Sequence, residues 1–274
     1  MMSVEGTLIA GPWVGEFGWE LFAWQAYVRA LSRHFEETII ICRTNSTALY
    51  KDFASRIIVY NPIAGKADSF FMHGLDLMTA FKQAIKKSDV ILNKNTTLFL
   101  PRRIGWPPQT HYSESIDFGK YKIKPEYIKF GKTQGKKYNY VFHIRNRELR
   151  PEDNWSFNNW KKLLKLLGGD KVACVGTRDE ALSIDGTTDL RGAPLSQVLN
   201  ALRRASCCFG PSSGPMHLAS LCGCPHLVWS KAENHTRYTE NWNPLKTPVL
   251  FDSKYSWQPE AQHIHDIFKD WKIK

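Results

Sequence analysis

The residues best placed to do chemistry lie in the stretch from residue 208 to residue 229. Ser212 or Ser213 can act as the N-cap of a short helix, and Pro215 suits the first turn of that helix. A helix start presents free backbone N–H groups and the positive end of the helix dipole, which together form an anion-binding site. His217 lies one turn inside this helix and adds an imidazole. The stretch therefore predicts an anion site, with an ordinary strand–helix connection as the alternative.

Two apolar segments must hold this helix in place, and both have the composition of buried strands. Ser206–Phe209 precedes the helix, and His226–Trp229 follows it. Gly223 suits the left-handed residue that ends a helix, and Pro225 prevents the helix from continuing. The pattern predicts a strand, a turn, a helix and a second strand.

The N-terminal half begins with the same alternation of strand and helix. Thr7–Ala10 and the apolar run Thr38–Cys42 are predicted as strands, and apolar residues at helical spacing predict a helix from Leu21 to Arg33. A loop with three glycines, residues 11–20, joins the first strand to the helix. Together these elements form a βαβ unit. The glycines do not form a dinucleotide fingerprint, because no acidic residue closes the second strand.

Further helices and strands alternate along the rest of the chain. The additional helices are predicted at residues 48–53, 75–87, 158–167 and 195–204, and the additional strands at residues 56–60, 89–92, 140–144 and 172–176. Periodicity fades after residue 96, and the lysine-rich residues 120–137 are interpreted as an interdomain linker. We therefore expect an α/β fold of two domains, residues 1–130 and 131–274, each with its own parallel sheet. Ligands of such sheets bind outside the carboxyl ends of the strands.

The composition is that of a soluble globular protein. The 274 residues are 43% hydrophobic and 23% charged, and no apolar run approaches the roughly 20 residues that cross a bilayer. The N-terminus has no basic flank and no long apolar segment, so we expect no secretory signal and a cytoplasmic location. All six cysteines are predicted to be reduced and structural, because most lie in apolar segments. The spacing of Cys222 and Cys224 does not fit a zinc knuckle.

The formal net charge of +11 predicts an anionic partner. A nucleotide sugar, a phosphorylated glycolipid and a nucleic acid all meet that description. Charge alone does not separate these partners, and a basic protein with no nucleic-acid role has the same charge balance.

Several motifs of the C-terminal half resemble those of the heptosyltransferase-like glycosyltransferases. That family has a sequence motif close to Gly-Asn-Asp-Thr-Gly-Pro-Met-His-Leu-Ala, followed by Gly-x-Pro. Residues 210–219 read Gly-Pro-Ser-Ser-Gly-Pro-Met-His-Leu-Ala, and residues 223–225 read Gly-Cys-Pro. The other matching segments are residues 189–205, 237–244 and 258–260. The resemblance is specific over residues 138–270 and loose over residues 1–120.

The resemblance implies the GT-B architecture, in which two Rossmann-like domains with parallel sheets face each other across a cleft. It also implies transfer of a sugar from a nucleotide-diphosphate sugar, with inversion and without a bound metal or other cofactor. The sequence shows no Asp-x-Asp metal motif. Leaving-group charge develops on the β-phosphate, where oriented hydrogen-bond donors are most useful. Carried over by position, the residues that hold the donor diphosphate are Ser213, Gly214, Pro215, Met216 and His217.

Two features of the resemblance leave alternatives open. An acidic residue of the family falls at Ser212, so one carboxylate contact of the donor site is lost and the donor is not identified. The family's catalytic base follows a glycine in the first loop, and two residues fit that place. Glu16 directly follows Gly15, whereas Glu20 lies nearer the helix. Either carboxylate can take the proton of an acceptor hydroxyl, and either can instead stabilise a helix N-terminus.

Residues near other strand ends complete the candidate site. Arg145 and Arg147 lie where the family places donor-phosphate contacts, and guanidinium groups bind phosphate oxygens bidentately. Surface charges beside neighbouring glutamates are the alternative. Thr177 and Glu180 follow a predicted strand, where contact with a nucleotide base or ribose is expected. In the long basic loop of the acceptor side, the side chains that can stack on a sugar or a nucleobase or pair with an anion are Arg102, Arg103, Trp106 and His111.

The first expectation is a glycosyltransferase that acts on a hydroxyl of a glycan or glycolipid. A phage-type DNA glycosyltransferase acting on a hydroxylated base is the alternative, favoured by the net charge and the basic aromatic loop. A non-catalytic module that binds nucleotide sugars or nucleic acid is a second alternative with the same fold. A dinucleotide oxidoreductase is disfavoured by the missing fingerprint.

Overall fold

The computed structural model describes residues 5–13, 15–60, 77–101, 123–133 and 135–272. The chain divides into two compact units, Met1–Glu126 and Tyr127–Lys274. Each unit contains a parallel sheet with helices, so the predicted α/β fold with two parallel sheets is confirmed. Within the described residues, no helix has both the length and the apolar character needed to span a membrane.

The N-terminal unit is built on a four-stranded parallel sheet with the strand order β3-β2-β1-β4. Its strands are β1 Glu5–Ala10, β2 Phe35–Cys42, β3 Arg56–Val59 and β4 Thr96–Phe99. Its helical segments are the short α1 Phe17–Trp19, the π-helical turn Glu20–Trp24, α2 Gln25–Ser32, the 3-10 helix Thr44–Leu49 and α3 Leu77–Lys86. Ile9, Ile40 and Ile41 are fully buried, as expected for central strands of a parallel sheet.

Two helices of this unit differ from their predictions. The first begins at Phe17 rather than Leu21 and passes through the π-helical turn before it continues as α2. The helix predicted at residues 48–53 is wrong, because the chain forms a 3-10 helix at Thr44–Leu49 instead. Serine, threonine and asparagine side chains there compete for backbone hydrogen bonds, and the Thr47 hydroxyl donates to the carbonyl of Thr44 at 3.2 Å.

The last strand of this unit also lies elsewhere than predicted. Residues 89–92 form no strand, and Ile91 is 82% exposed. β4 pairs with β1 instead, in a register that runs from Thr7 opposite Thr96 to Ala10 opposite Phe99. A strand forms where its side chains pack against a partner strand, and β1 is distant in sequence. The apolar pattern alone therefore predicted a strand at residues 89–92, whereas the strand forms at Thr96–Phe99.

The C-terminal unit is built on a six-stranded parallel sheet with the order β12-β11-β10-β5-β7-β9. Its strands are β5 Tyr138–Phe142, β7 Val172–Gly176, β9 Thr188–Arg191, β10 Ala205–Pro211, β11 His226–Trp229 and β12 Val249–Asp252. A short antiparallel pair is formed by β6 Ile144–Arg145 and β8 Ala181–Leu182. Its α-helices are α4 Phe157–Leu166, α5 Leu195–Arg203, α6 Gly214–Cys222 and α7 Ala261–Asp270. Because the six strands are parallel, their carboxyl ends meet at one edge of the sheet.

The core of this unit is aromatic. Trp155, Trp160 and Trp229 are almost fully buried, and their ring centroids lie 4.7 to 5.4 Å apart. Phe142 and Phe209 extend the cluster, with their centroids 5.7 Å apart. Aromatic pairs in such geometry contribute about 0.5–1.5 kcal/mol each beyond area burial. The cluster joins β5, β10 and β11, whose carboxyl ends border the candidate site.

All six cysteines are buried and free of disulfide bonds, as the sequence predicts. Burial raises the pKa of the thiols of Cys207, Cys208 and Cys222 well above the ordinary value. These thiols therefore stay protonated and unreactive at neutral pH.

Candidate functional site

The site is organised around the junction of β10 with α6. Ser213 is the N-cap of α6 and has an extended backbone, and Pro215 lies in the first turn, as predicted. Gly223 ends the helix with φ of 63°, in the left-handed region, and its neighbour Cys224 donates its N–H to the carbonyl of Ala219 at 3.0 Å. This left-handed C-terminal residue is the one that the sequence predicts.

Gly210 allows α6 to lie close against β10. A Cβ atom at this position would approach the Sδ of Met216 to 2.7 Å and the Cβ of His143 to 3.3 Å. Met216 is fully buried and its Sδ lies 3.6 Å from the Sγ of Cys208. The side chain of Met216 therefore belongs to the core, and only its backbone remains for a ligand.

The N-terminus of α6 is held by a residue from another segment, Tyr238. The Ser213 N–H donates to the Tyr238 hydroxyl at 3.0 Å, and that hydroxyl donates to the Oγ of Ser212 at 3.1 Å. The side chain of Ser213 makes no capping hydrogen bond, and its buried Oγ has no partner among the described residues. The backbone of Ser213 thus has the conformation of the predicted N-cap. The hydrogen bonds that hold the helix start in place, however, are made by Tyr238.

His217 lies in an aromatic enclosure. Its ring stacks on Tyr238 with centroids 4.1 Å apart, and it makes an edge contact with Trp242 with centroids 4.6 Å apart. His217 is only 4% exposed. Burial, with smaller contributions from Arg237 and His226, holds the pKa of His217 well below its ordinary value. The imidazole is therefore neutral at pH 7, when it carries one N–H donor and one acceptor nitrogen.

The start of α6 offers a small number of backbone donors. The first N–H groups of a helix have no partner within it. Pro215 has no N–H, and the His217 N–H donates to the carbonyl of Ser213 at 3.1 Å. The N–H groups of Gly214 and Met216 are therefore the donors that the helix start presents to a ligand. Together with the positive end of the helix dipole, such N–H groups are the kind that bind anions.

Arg145 is held inside the protein rather than presented to a ligand. It is 4% exposed, and its guanidinium lies 3.5 Å from a carboxylate oxygen of Asp153. It also donates to the side-chain oxygen of Asn154 at 3.1 Å and to the carbonyl of Arg150 at 3.3 Å. This geometry fits a residue that orders the loop after β6.

Arg147, Glu180 and Thr177 lie together near the ends of β6 and β7. The Nε of Arg147 donates to Glu180 at 3.2 Å, and both side chains are partly exposed. The Thr177 hydroxyl accepts the N–H of Glu180 at 3.2 Å. His143, between β5 and β6, is buried, and its Nδ1 lies 3.1 Å from the carbonyl of Val175. Burial lowers the pKa of His143 to about 4, so it is a neutral core residue at pH 7.

The two candidate bases of the N-terminal unit have opposite environments. Glu16 is exposed and occupies the N-cap position of α1 without a side-chain capping bond. Glu20 is fully buried. Its two oxygens accept hydrogen bonds from Arg43 at 2.9 Å, Ser46 at 2.8 Å and Tyr50 at 2.8 Å. The structure thus presents one carboxylate to solvent and uses the other to join the π-helical turn to the 3-10 helix Thr44–Leu49 and its two flanking residues.

The candidate acceptor residues lie outside the described residues. These are Arg102, Arg103, Trp106 and His111.

Three aromatic or basic residues of the site were not among the predicted site residues. Arg237, Tyr238 and Trp242 surround His217 and the start of α6. The available signal was the resemblance of residues 237–244 to a loop of that family, which assigns no role to the individual residues. The roles of Tyr238 and Trp242 follow from their contacts with Ser213 and His217, which lie more than 20 positions earlier in the chain.

Comparison with known proteins bears on the fold. No protein-family model matches the sequence, and no curated protein matches it. E. coli heptosyltransferase WaaC with ADP matches with a TM-score of 0.58 and 12% identity, over 97% of this chain and 99% of that chain. The glycosyl transferase family 9 protein from Veillonella parvula DSM 2008 matches with a TM-score of 0.54 and 9% identity, over 98% of this chain and 89% of that chain.

A third solved structure agrees with these two. E. coli ADP-heptose lps heptosyltransferase II matches with a TM-score of 0.53 and 12% identity, over 97% of this chain and 98% of that chain. The predicted resemblance is thereby confirmed in its fold, since all three matches extend over nearly the whole chain. The chain has the GT-B fold of the heptosyltransferase-like glycosyltransferases.

Proposed function

We propose that this protein is a metal-independent, inverting glycosyltransferase that moves a sugar from a nucleotide-diphosphate sugar to a hydroxyl of a glycan or glycolipid. The observation that carries the proposal is the start of α6. There, the N–H groups of Gly214 and Met216 and the neutral imidazole of His217 lie in the first turns of the helix that directly follows the carboxyl end of β10. Ligands of parallel sheets bind outside this end of the strands.

The chemistry of transfer fits these groups. The acceptor oxygen bonds to the anomeric carbon while the bond from that carbon to the β-phosphate oxygen breaks. The electron pair of the breaking bond remains on the nucleoside diphosphate, where the backbone N–H groups and His217 stabilise the added charge. No positive charge on His217 is needed, because an N–H of the neutral ring donates to a phosphate oxygen.

Glu16 is proposed as the base that takes the proton of the acceptor hydroxyl. It is exposed and follows Gly15 directly, as in the resembling family. Glu20 is unsuited to that role, since both of its oxygens already accept hydrogen bonds from buried or partly buried partners. Ser213 and Ser212 shape the turn before α6, and the Arg147–Glu180 pair is proposed to line the nucleoside end of the site.

The proposed acceptor follows from the similar structures. One of them is named an ADP-heptose lps heptosyltransferase, which supports a glycan or glycolipid acceptor over a DNA base. Another is described with ADP, which makes an ADP-sugar the first donor to test.

The test is sugar transfer from a panel of nucleotide-diphosphate sugars, measured by product analysis with glycan and glycolipid acceptors. We expect one donor to be consumed, with inverted anomeric configuration by NMR and with turnover unchanged by EDTA. Glu16→Gln should lower kcat by about 100-fold or more while donor affinity is kept. Glu36→Gln, which changes an exposed carboxylate of the same unit, should retain wild-type turnover.

Two results would contradict parts of this proposal. Near-normal turnover of Glu16→Gln would remove Glu16 as the base. Tight binding of a nucleotide sugar without transfer to any acceptor would favour the non-catalytic module instead.

A further inference from the structure

Most arginines at the carboxyl edge of the C-terminal sheet already have acidic partners. The guanidinium of Arg145 pairs with Asp153, that of Arg147 with Glu180, and that of Arg191 with Asp189 at 2.8 Å. A phosphate that bound any of them would have to compete with a carboxylate. These pairs neutralise much of the positive charge that the sequence places near the donor site.

Arg237 differs from these arginines. It is exposed, and among the described residues no carboxylate lies within ion-pair distance of it. Its guanidinium carbon lies over the ring of Trp242, 5.1 Å from the ring centroid. Stacking on an aromatic face orients a guanidinium while its N–H groups stay available at the rim. Arg237 is therefore a pre-oriented cation without an acidic partner.

The neighbours of Arg237 tie it to the start of α6. It opens the π-helical turn Arg237–Asn241, and the next residue, Tyr238, accepts the N–H of Ser213. Trp242, on which Arg237 stacks, also contacts the ring of His217. The positive charge of Arg237 also acts on the imidazole of His217, since it contributes to the lowered pKa of that residue. The stacking of Arg237 on Trp242 and the hydrogen bond of the adjacent Tyr238 to Ser213 therefore both position the guanidinium beside the proposed diphosphate site.

We propose that Arg237 is the cationic ligand of the donor diphosphate, binding its phosphate oxygens bidentately while Trp242 holds the guanidinium in place. This inference rests on the proposed function, because it names a binding residue of the same site. It assigns to Arg237 the role that the sequence suggested for Arg145 and Arg147. The backbone N–H groups at the helix start carry partial charges, whereas Arg237 supplies a full charge against the diphosphate.

The test is isothermal titration of the full-length protein with inorganic pyrophosphate, with ADP and with adenosine. Arg237→Gln should lower the affinity for pyrophosphate and ADP by about tenfold or more and leave the affinity for adenosine unchanged, because only the phosphates contact the guanidinium. Arg237→Lys should recover only part of the loss, since an ammonium does not bind bidentately. Lys171→Gln is the matched control: it removes one exposed positive charge just before β7, at the opposite edge of the same sheet. It should bind all three ligands as the wild type does.

Equal pyrophosphate and ADP affinities in Arg237→Gln and Lys171→Gln would overturn the inference, as would a wild-type protein that binds neither ligand. Failure of the proposed function is seen separately, in the transfer assay. Transfer by a wild type whose ADP affinity does not depend on Arg237 would leave the proposed function standing without this residue. Pyrophosphate binding that depends on Arg237, in a protein that transfers no sugar, would leave an anion site without the proposed reaction.

Discussion

At the level of single residues, burial separates side chains of the same type. Glu16 and Glu20 lie on adjacent turns of one helical segment, yet Glu16 is exposed and Glu20 is fully buried. Arg145 is buried against Asp153, while Arg237 is exposed without an acidic partner among the described residues. A buried charge must be matched by hydrogen bonds or an opposite charge, whereas an exposed one remains available for a substrate. Burial therefore separates the charged candidates Glu20 and Arg145, which are structural, from Glu16 and Arg237, which remain available to a ligand.

Glu20→Gln should destabilise the N-terminal unit. The substitution removes the charge that pairs with Arg43 and places an amide against the Tyr50 hydroxyl, so the largely buried guanidinium of Arg43 loses the Glu20 carboxylate as a counter-ion. Breaking a buried pair costs about 3–5 kcal/mol of unfolding free energy. Urea denaturation followed by tryptophan fluorescence measures the change. Glu126→Gln, which breaks the more exposed pair with Arg33, should cost less than about 1 kcal/mol. Equal losses in the two variants would show that Glu20 is not a structural charge.

At the level of elements, the start of α6 depends on Tyr238, which follows Ser213 by 25 residues. The Tyr238 hydroxyl contacts the N–H of Ser213 and the side chain of Ser212, and its ring covers His217. The π-helical turn Arg237–Asn241 carries this tyrosine. The strand, the helix start and the π-helical turn are therefore held together by these contacts, and the turn orders the proposed donor site.

Tyr238→Phe tests this arrangement. The ring stacking on His217 is kept, but Ser213 N–H and Ser212 Oγ lose their partner, which should cost about 1–2 kcal/mol of unfolding free energy. Amide hydrogen exchange of Ser213 should become faster. Tyr255→Phe, which changes a tyrosine that is 47% exposed, should alter neither quantity. Unchanged exchange at Ser213 in Tyr238→Phe would rule out the proposed cap.

At the level of the whole molecule, the protein combines a net charge of +11 with histidines that are buried in neutral form. Burial lowers the pKa of both His143 and His226 to about 4 and that of His217 well below its ordinary value. The unfolded chain binds protons at these histidines near pH 6.5, whereas the folded protein does not. Their contribution to stability is therefore complete above about pH 6.5 and is lost as the pH falls toward about 4. Acidification also increases the positive net charge, which adds repulsion.

The unfolding free energy should accordingly be lower at pH 5 than at pH 7.5, by about 1.4 kcal/mol for each pH unit and each fully uncompensated histidine. Urea denaturation at a series of pH values measures this slope. His226→Gln should make the slope shallower, whatever its effect at pH 7.5, while a change of the exposed His235 to Gln should leave the slope as it is. A wild-type stability that is constant from pH 7.5 to pH 5 would contradict the prediction.

Local chemistry made much of the fold predictable. The α6 helix from its N-cap at Ser213 to the left-handed Gly223, and the buried strands on either side of it, follow from residues that are neighbours in sequence. Prediction was wrong where a distant partner decides. β4, and not the segment 89–92, is the strand beside β1, because it pairs with β1. The helix predicted at residues 48–53 was wrong for a local reason, since side chains of the 3-10 helix Thr44–Leu49 compete for backbone hydrogen bonds.

The sequence by itself determined the α/β class, the GT-B resemblance and the capped turn at the start of α6, because turn, cap and periodicity preferences act between residues a few positions apart. Only the tertiary structure decided which of Glu16 and Glu20 is exposed, that Arg237 differs from Arg145 and Arg147 in having no acidic partner among the described residues, and that Tyr238 holds the helix start. The physical reason is that burial, ion pairing and hydrogen bonding join side chains from segments far apart in sequence. Such contacts exist only once the sheet has brought those segments together.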